Sequence, residues 1–219
     1  LTDAQRRAAG EAMADMCGKT PMNRLCQGDV GSGKTMVAAA CIYFAAQNGY
    51  QSALMAPTEL LAQQHYHSLA PLLEKLGVRC ALLTGSLSAK TKKSIRAQLE
   101  TGEITVAVGT QALISRDVTF SSLGLVVADE QHRFGVAQRA ALSAKAEKPH
   151  MLVMSATPIP RTLALMIYGD LDISVIDELP PGRQNTDTFA VPNSYHERVY
   201  RFIRKHVRAG RQVYIVCSL

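Results

Sequence analysis

The sequence predicts an α/β fold with a mostly parallel central sheet and right-handed crossovers, on three observations. Short apolar runs alternate with longer stretches of helix formers along most of the 219 residues. Leu125-Val126-Val127-Ala128 is apolar at every position, as expected of a strand covered on both faces of a parallel sheet. Finally, Gly28-Asp29-Val30-Gly31-Ser32-Gly33-Lys34-Thr35 stands between the apolar pair Leu25-Cys26 and the helix-forming run 36–40. Strand, glycine-rich turn and helix form the context in which such an octapeptide can hold a phosphate chain.

The elements follow in order. Thr2-Asp3-Ala4-Gln5 reads as a helix start, with Thr2 as N-cap and Gln5 at the capping-box position. An alanine-rich helix then runs to about residue 17, and 18–21 ends it. Residues 24–27 form the strand feeding the glycine-rich loop, whose helix extends to Asn48-Gly49. Residues 51–56 are a second strand, after which Thr58 caps a helix over 59–75. A strand at 78–83, a loop at 84–86 and a basic helix over 89–100 capped by Ser88 come next. Strands at 104–108, 123–128 and 151–154, and helices over 136–145 and 159–168, complete the pattern. Leu179-Pro180-Pro181-Gly182-Arg183 is the clearest punctuation and marks a linker over 180–185. Beyond it a strand at 186–191, a helix over 194–209 and a strand at 212–216 begin a new βαβ unit. Residues 1–179 are thus expected to form one complete nucleotide-binding domain, and 186–219 the truncated start of a second. The chain begins at Leu1 without a methionine and stops inside an apolar run at Leu219, so it reads as a piece of a longer one.

Composition narrows the function classes. With 47% hydrophobic and 19% charged residues the chain can bury a core, and its net charge of +6 favours a polyanionic partner. Five cysteines, an odd number without a C-x-x-C pair, indicate neither a disulfide framework nor a zinc site, and reduced cytoplasmic thiols are expected. His65 and His67 flank Tyr66 with no ligand pattern nearby in sequence and read as helix-surface or core histidines. The longest apolar run, 36–46, is too short to span a bilayer, so no membrane partner and no signal peptide are expected.

The chemistry starts at the glycine-rich loop. Glycines let backbone N–H groups turn inward around phosphates, and the following helix adds unpaired donors and partial positive charge. Lys34 would reach the β- and γ-phosphates, and the Thr35 hydroxyl would ligate Mg²⁺, so the chain is expected to bind a nucleoside triphosphate. Asp129-Glu130 ends a buried strand, where ligands of an open parallel sheet collect. Asp129 would hold Mg²⁺ opposite Thr35, and Glu130 would orient and deprotonate the attacking water. Gln131 and His132 are candidates for sensing the γ-phosphate. Ser155 and Thr157, in Ser155-Ala156-Thr157-Pro158, are candidates for bonding to 129–132 and coupling to it. Three further loops with small polar tips, Pro57-Thr58, Thr84-Gly85-Ser86 and Gly109-Thr110-Gln111, suit a sugar–phosphate track read without sequence preference.

Taken together and in this order, these segments resemble the superfamily 2 helicases and translocases. GDVGSGKT (28–35) is similar to motif I of that group, APTELLAQQH (56–65) to motif Ia and TGS (84–86) to motif Ib. VGTQALI (108–114) is similar to motif Ic, DEQH (129–132) to motif II and SATP (155–158) to motif III. PMNRLCQGDVGSGKT (21–35), DEQHRFGVAQR (129–139), MSATPIPRTLA (154–164) and YGDLDISVIDELPPGR (168–183) narrow the resemblance to the bacterial RecG family.

The resemblance implies a RecA-like three-layer α/β/α domain followed by the start of a second. It implies ATP and Mg²⁺ as cofactors, and hydrolysis coupled to remodelling of branched duplex DNA, at stalled forks and Holliday junctions, in repair and recombination. A bacterial, nucleoid-associated cytoplasmic location goes with it. By the same resemblance Gln5 is an adenine reader, and 133–139 help relay the nucleotide state. The wedge domain that precedes the motor in RecG proteins, most of the second motor domain and its motif VI arginine finger have no counterpart among these residues. The chain by itself is therefore expected to bind ATP but to hydrolyse it feebly. Two alternatives stand beside this reading: a duplex-DNA translocase of the Mfd (transcription-repair coupling) kind, from which Gln131 departs, and a nucleotide-gated DNA-binding module without turnover.

Overall fold

The computed structural model describes residues 1–129, 142, 145–146, 148–156, 171–178 and 187–217. The chain divides into two units, Leu1–Pro181 and Gly182–Leu219. In the first, β1 (Asn23–Gly28), β2 (Gln51–Met55), β3 (Cys80–Leu83), β4 (Val106–Gly109), β5 (Leu123–Asp129), β6 (His150–Ser155) and β7 (Asp172–Ile176) form one sheet. The spatial order is β3-β4-β2-β5-β6-β1-β7, and every pairing is parallel. Among the described residues four helices belong to this unit: α1 (Asp3–Met16), α2 (Lys34–Gln47), α3 (Glu59–Glu74) and α4 (Ala89–Glu100).

The helix starts lie where the sequence places them because short polar side chains satisfy the first free N–H groups. Thr2 accepts from the Gln5 N–H at 3.4 Å while Gln5 Oε1 accepts from the Thr2 N–H at 3.0 Å, a complete capping box. Thr58 caps α3 through the Leu61 N–H at 3.3 Å, and Ser88 caps α4 through the Thr91 N–H at 3.1 Å.

Alternate strand residues feed two cores, one on each face of the sheet. Cys26, Leu54, Val108, Val127 and Leu152 pack with Ala8, Ala12, Val37, Ile42 and Leu69 from α1, α2 and α3. Leu25, Ala53, Met55, Val126 and Val153 pack on the other face with Leu99 of α4 and Leu113 of the short 3₁₀ turn Gln111–Ile114. This is the three-layer arrangement, and the interior strands β2, β4 and β5 bury both their faces, as interior parallel strands must.

One strand escapes sequence reading. Asp172 and Ser174 make β7 look like a loop, yet it pairs along the outer edge of β1. Ser174 is buried there because it takes a hydrogen bond from Arg24 Nη1 at 2.8 Å. Arg24, itself buried, also holds Asp15 through Nε at 2.6 Å and Glu11 through Nη1 at 3.3 Å, which fastens α1 to the β1–β7 edge. Ser174 in turn donates to Glu11.

The second unit corrects two expectations. Its helix, α5 (His196–Arg208), lies close to the expected 194–209, with a single 3₁₀ turn before it. Neither 187–191 nor 212–216 is a strand. Strands exist through ladder partners, and these apolar stretches have none among the described residues. Val216 is 93% exposed and Phe189 80%. The linker expected at 180–185 and most of the helices expected over 136–145 and 159–168 lie outside the described residues.

Candidate nucleotide-binding site

The glycine-rich loop leaves the C-terminal end of β1 and turns directly into α2. The sheet opens a crevice at that point. The chain leaves β1 for β2, three places away in one direction, whereas β6, beside β1, is followed by β7 on the far side of β1. Such reversals are where ligands bind at the carboxyl edge of parallel sheets.

Two glycines carry the turn. Gly31 has φ +80° and Gly33 φ +87°, the left-handed region that side chains resist. At Gly33 a Cβ would also lie 2.3 Å from Gln5 Nε2. Lys34 folds back over the loop, its Nζ donating to the Gly28 and Asp29 carbonyls at 2.7 and 2.9 Å. The N–H groups of Gly31, Gly33, Lys34 and Thr35 reach no backbone carbonyl among the described residues, so the loop presents a concave set of donors. Ser32 Oγ is buried without a hydrogen-bond partner among the described residues. An orphaned hydroxyl, convergent N–H groups and a lysine resting on its own loop are a fit for a phosphate chain.

Gln5 spans both roles given to it. Its Oε1 closes the capping box of α1, and its Nε2 donates to the Ser32 carbonyl at 2.8 Å. A residue in the first turn of α1 thereby braces the loop.

Asp129 ends β5 at the same edge of the sheet. Register runs from Asp129 to Met154 of β6 and from Met154 to Cys26 of β1, so Asp129 lies level with a residue just before the loop. Two interstrand steps of about 4.8 Å separate β5 from β1, a span that a hydrated metal–triphosphate can bridge. Lys34 and Asp129 therefore lie at the same carboxyl edge of the sheet. The carboxylate of Asp129 and the hydroxyl of Thr35 are hard oxygen donors suited to Mg²⁺, which takes one or two protein oxygens and completes its shell with phosphate and water. Among the described residues no cluster of three His, Cys, Asp or Glu side chains forms an all-protein cage. Ser155 follows Met154, the ladder partner of Asp129, and is fully buried beside it. Glu130, Gln131, His132, Thr157 and 133–139 lie outside the described residues.

The feature missed from sequence is His65. It is buried in α3, and its Nε2 lies 2.6 Å from Asp129 Oδ2. A signal was present: Ala62, His65, Leu69 and Leu73 recur at the spacing of one buried helical stripe. A polar ring on such a stripe needs a partner.

The three polar loops lie side by side, after β2, β3 and β4, which are neighbours in the sheet. Pro57 and Thr58 are partly exposed at the start of α3, as is Thr110, while Gly85 and Gln111 are exposed. Thr84 departs from the expected picture of an exposed polar tip. It is 1% exposed, and its hydroxyl faces that of Ser86 at 3.2 Å. The first two loops are tied together, since Glu59 Oε1 accepts the Ser86 N–H at 3.0 Å. Hydrogen bonds from Ser86 hold the Glu59 carboxyl below the ordinary carboxylate range. Lys92 of α4 donates to the Gly85 carbonyl. Among the described residues no helix is long and apolar enough to cross a membrane.

Comparison with known proteins agrees with this geometry. The model of the DEAD/DEAH box helicase family matches residues 2–166. The ATP-dependent DNA helicase RecG of Synechocystis sp. is 55% identical over 99% of this chain and 26% of its own length. That of Bacillus subtilis is 52% identical over the whole chain and 32% of its own length, so the chain spans about a third or less of these relatives. A solved structure of RecG bound to a three-way DNA junction superposes with a TM-score of 0.84 at 47% identity, over 96% of this chain and 28% of that one. On the sheet order, the glycine-rich loop at its crevice and these similarities, the chain belongs to the DEAD/DEAH box helicase family.

Proposed function

We propose that this chain is the ATP-binding motor domain of a RecG-like helicase, which couples ATP hydrolysis to the remodelling of branched DNA. The observation that carries the proposal is the position of Lys34 and Asp129 at one carboxyl edge of a parallel sheet, beside a glycine-rich loop. Lys34 exchanges its two loop carbonyls for the β- and γ-phosphates, and the loop N–H groups and the α2 N-terminus hold the rest of the chain. Thr35 and Asp129 are the residues that would hold Mg²⁺, whose contribution is to neutralise phosphate charge as the bond to the leaving group lengthens. Glu130, next after Asp129, is assigned the general base that aligns the attacking water. Ser155 with Thr157, and Gln131 with His132, are assigned to report the γ-phosphate to the rest of the motor.

The tips around Thr58, Gly85 and Gln111 form the DNA track, which reads phosphates and therefore binds without sequence preference. In the intact protein two motor domains close across ATP and reopen with each turnover, moving that grip along the duplex. A wedge domain and a full second motor domain of the intact protein are the partners the reading requires.

The test is steady-state ATPase of the full-length protein titrated with forked, linear duplex and single-stranded DNA across a salt series. Forked DNA is expected to stimulate most. Lys34→Ala is expected to abolish the stimulated turnover while leaving the circular dichroism spectrum unchanged. Stimulated hydrolysis that survives in Lys34→Ala would overturn the assignment.

A further inference from the structure

Asp129 is a buried acid at the edge of the crevice, and its side chain is only 10% exposed. Among the described residues its side-chain partner is His65, whose Nε2 meets Oδ2 at 2.6 Å. The bond occupies Oδ2, and among the described residues no hydrogen bond engages Oδ1. A carboxylate pivots about its terminal torsion within a broad well, so an unheld Asp129 would present its oxygens in many directions. His65 sits in the buried stripe of α3, between Ala62 and Leu69, where burial restricts the movement of its ring.

We propose that His65 is a positioning residue for the metal-binding carboxylate: it fixes the orientation of Asp129, and so sets the affinity of the site for Mg²⁺·nucleotide. This rests on the nucleotide-site reading given above. Hydrogen-bond partners of ligating carboxylates orient them, and their loss typically costs about 10- to 100-fold in metal affinity. The arrangement has a further consequence for the motor. Seven residues separate His65 from Thr58, about 10 Å along the helix. Thr58 caps α3, and Glu59 ties its first turn to the neighbouring loop at Ser86. The element that aims Asp129 therefore has its other end in the proposed DNA track.

The experiment uses the full-length protein and a fluorescent ATP analogue, with dissociation constants measured in Mg²⁺ and in EDTA. The gain in affinity due to Mg²⁺ is the readout, and no turnover is needed. His65→Leu is expected to reduce that gain about tenfold while leaving the EDTA value unchanged. His65→Gln, whose amide nitrogen reaches the Nε2 position, is expected to stay within about threefold of the parent. In an Asp129→Asn background, His65→Leu is expected to add nothing, because both substitutions remove the same interaction.

A His65→Leu protein with the parental Mg²⁺ gain, or a glutamine variant as impaired as the leucine one, overturns the proposal. Should the leucine variant not fold, asparagine and glutamine supply the same contrast, since the shorter amide cannot reach Asp129. Equal Mg²⁺ gains in those two overturn it as well. A parent protein whose nucleotide affinity is indifferent to Mg²⁺ sinks the nucleotide-site reading itself, an outcome distinct from either.

Discussion

Gly33 and His150 show how single residues are fixed by their surroundings. Gly33 is held at φ +87° with Gln5 Nε2 where a side chain would begin. An alanine there would incur about 1–2 kcal/mol of backbone strain and displace Gln5 from the Ser32 carbonyl. Gly33→Ala is accordingly expected to lower the denaturation midpoint and to weaken nucleotide binding together, by chemical melts and equilibrium titration. His150 opens β6, and its Nδ1 accepts the Met22 N–H at 2.9 Å, a bond that only the neutral ring can take at that atom. Burial pushes its pKa below the ordinary 6.5, against a weaker upward pull from Asp15. Below pH of about 6.5 the unfolded ring therefore binds a proton that the folded one resists, so stability falls as pH falls toward the folded pKa and levels beneath it. Urea midpoints at about pH 7.5 and 5.5 are expected to show that loss in the parent, and a smaller one in His150→Gln.

At the scale of elements, α1 is secured by charge as well as by packing. Its buried face is entirely alanine, Ala4, Ala8, Ala9 and Ala12, which lets it lie close against the sheet but buries little apolar area. Arg24 supplies what the alanines do not, through Asp15, Glu11 and Ser174. Removing it strands two acids that are partly solvated, so the loss belongs below the range for a fully buried pair. Arg24→Ala is expected to destabilise the protein by about 2–3 kcal/mol in reversible urea unfolding. A loss under about 0.5 kcal/mol, the level of an exposed pair, would count against the network.

For elements with local signals the sequence sufficed. Thr2, Thr58 and Ser88 announce helices because a cap bonds within three residues of itself. It failed for β7, whose burial at Ser174 depends on a residue 150 positions earlier. It failed in the other direction at 212–216, where apolar residues read as a strand but no ladder partner exists among the described residues. Helices carry their hydrogen bonds with them, whereas strands borrow theirs.

Taken whole, the chain places the candidate nucleotide site and a set of loop tips on one edge of one sheet. An arginine finger from a second motor domain is worth roughly 10³- to 10⁵-fold in turnover. On the proposed function, the isolated chain is expected to bind Mg²⁺·ATP yet hydrolyse it at least about 10³-fold more slowly than the full-length protein on forked DNA. Phosphate release measured side by side decides the matter, and equal rates would refute that dependence. The sequence by itself determined the glycine-rich turn between β1 and α2, the strand that delivers Asp129, and the alternation that makes the sheet parallel. These are patterns of contiguous residues, each with its physics inside a window of a few turns. Only the tertiary structure decided that Thr84 turns inward, that Gln5 braces Ser32, and that His65 meets Asp129. Each depends on side-chain partners or burial set by packing, and no local periodicity encodes which polar groups will face one another across it.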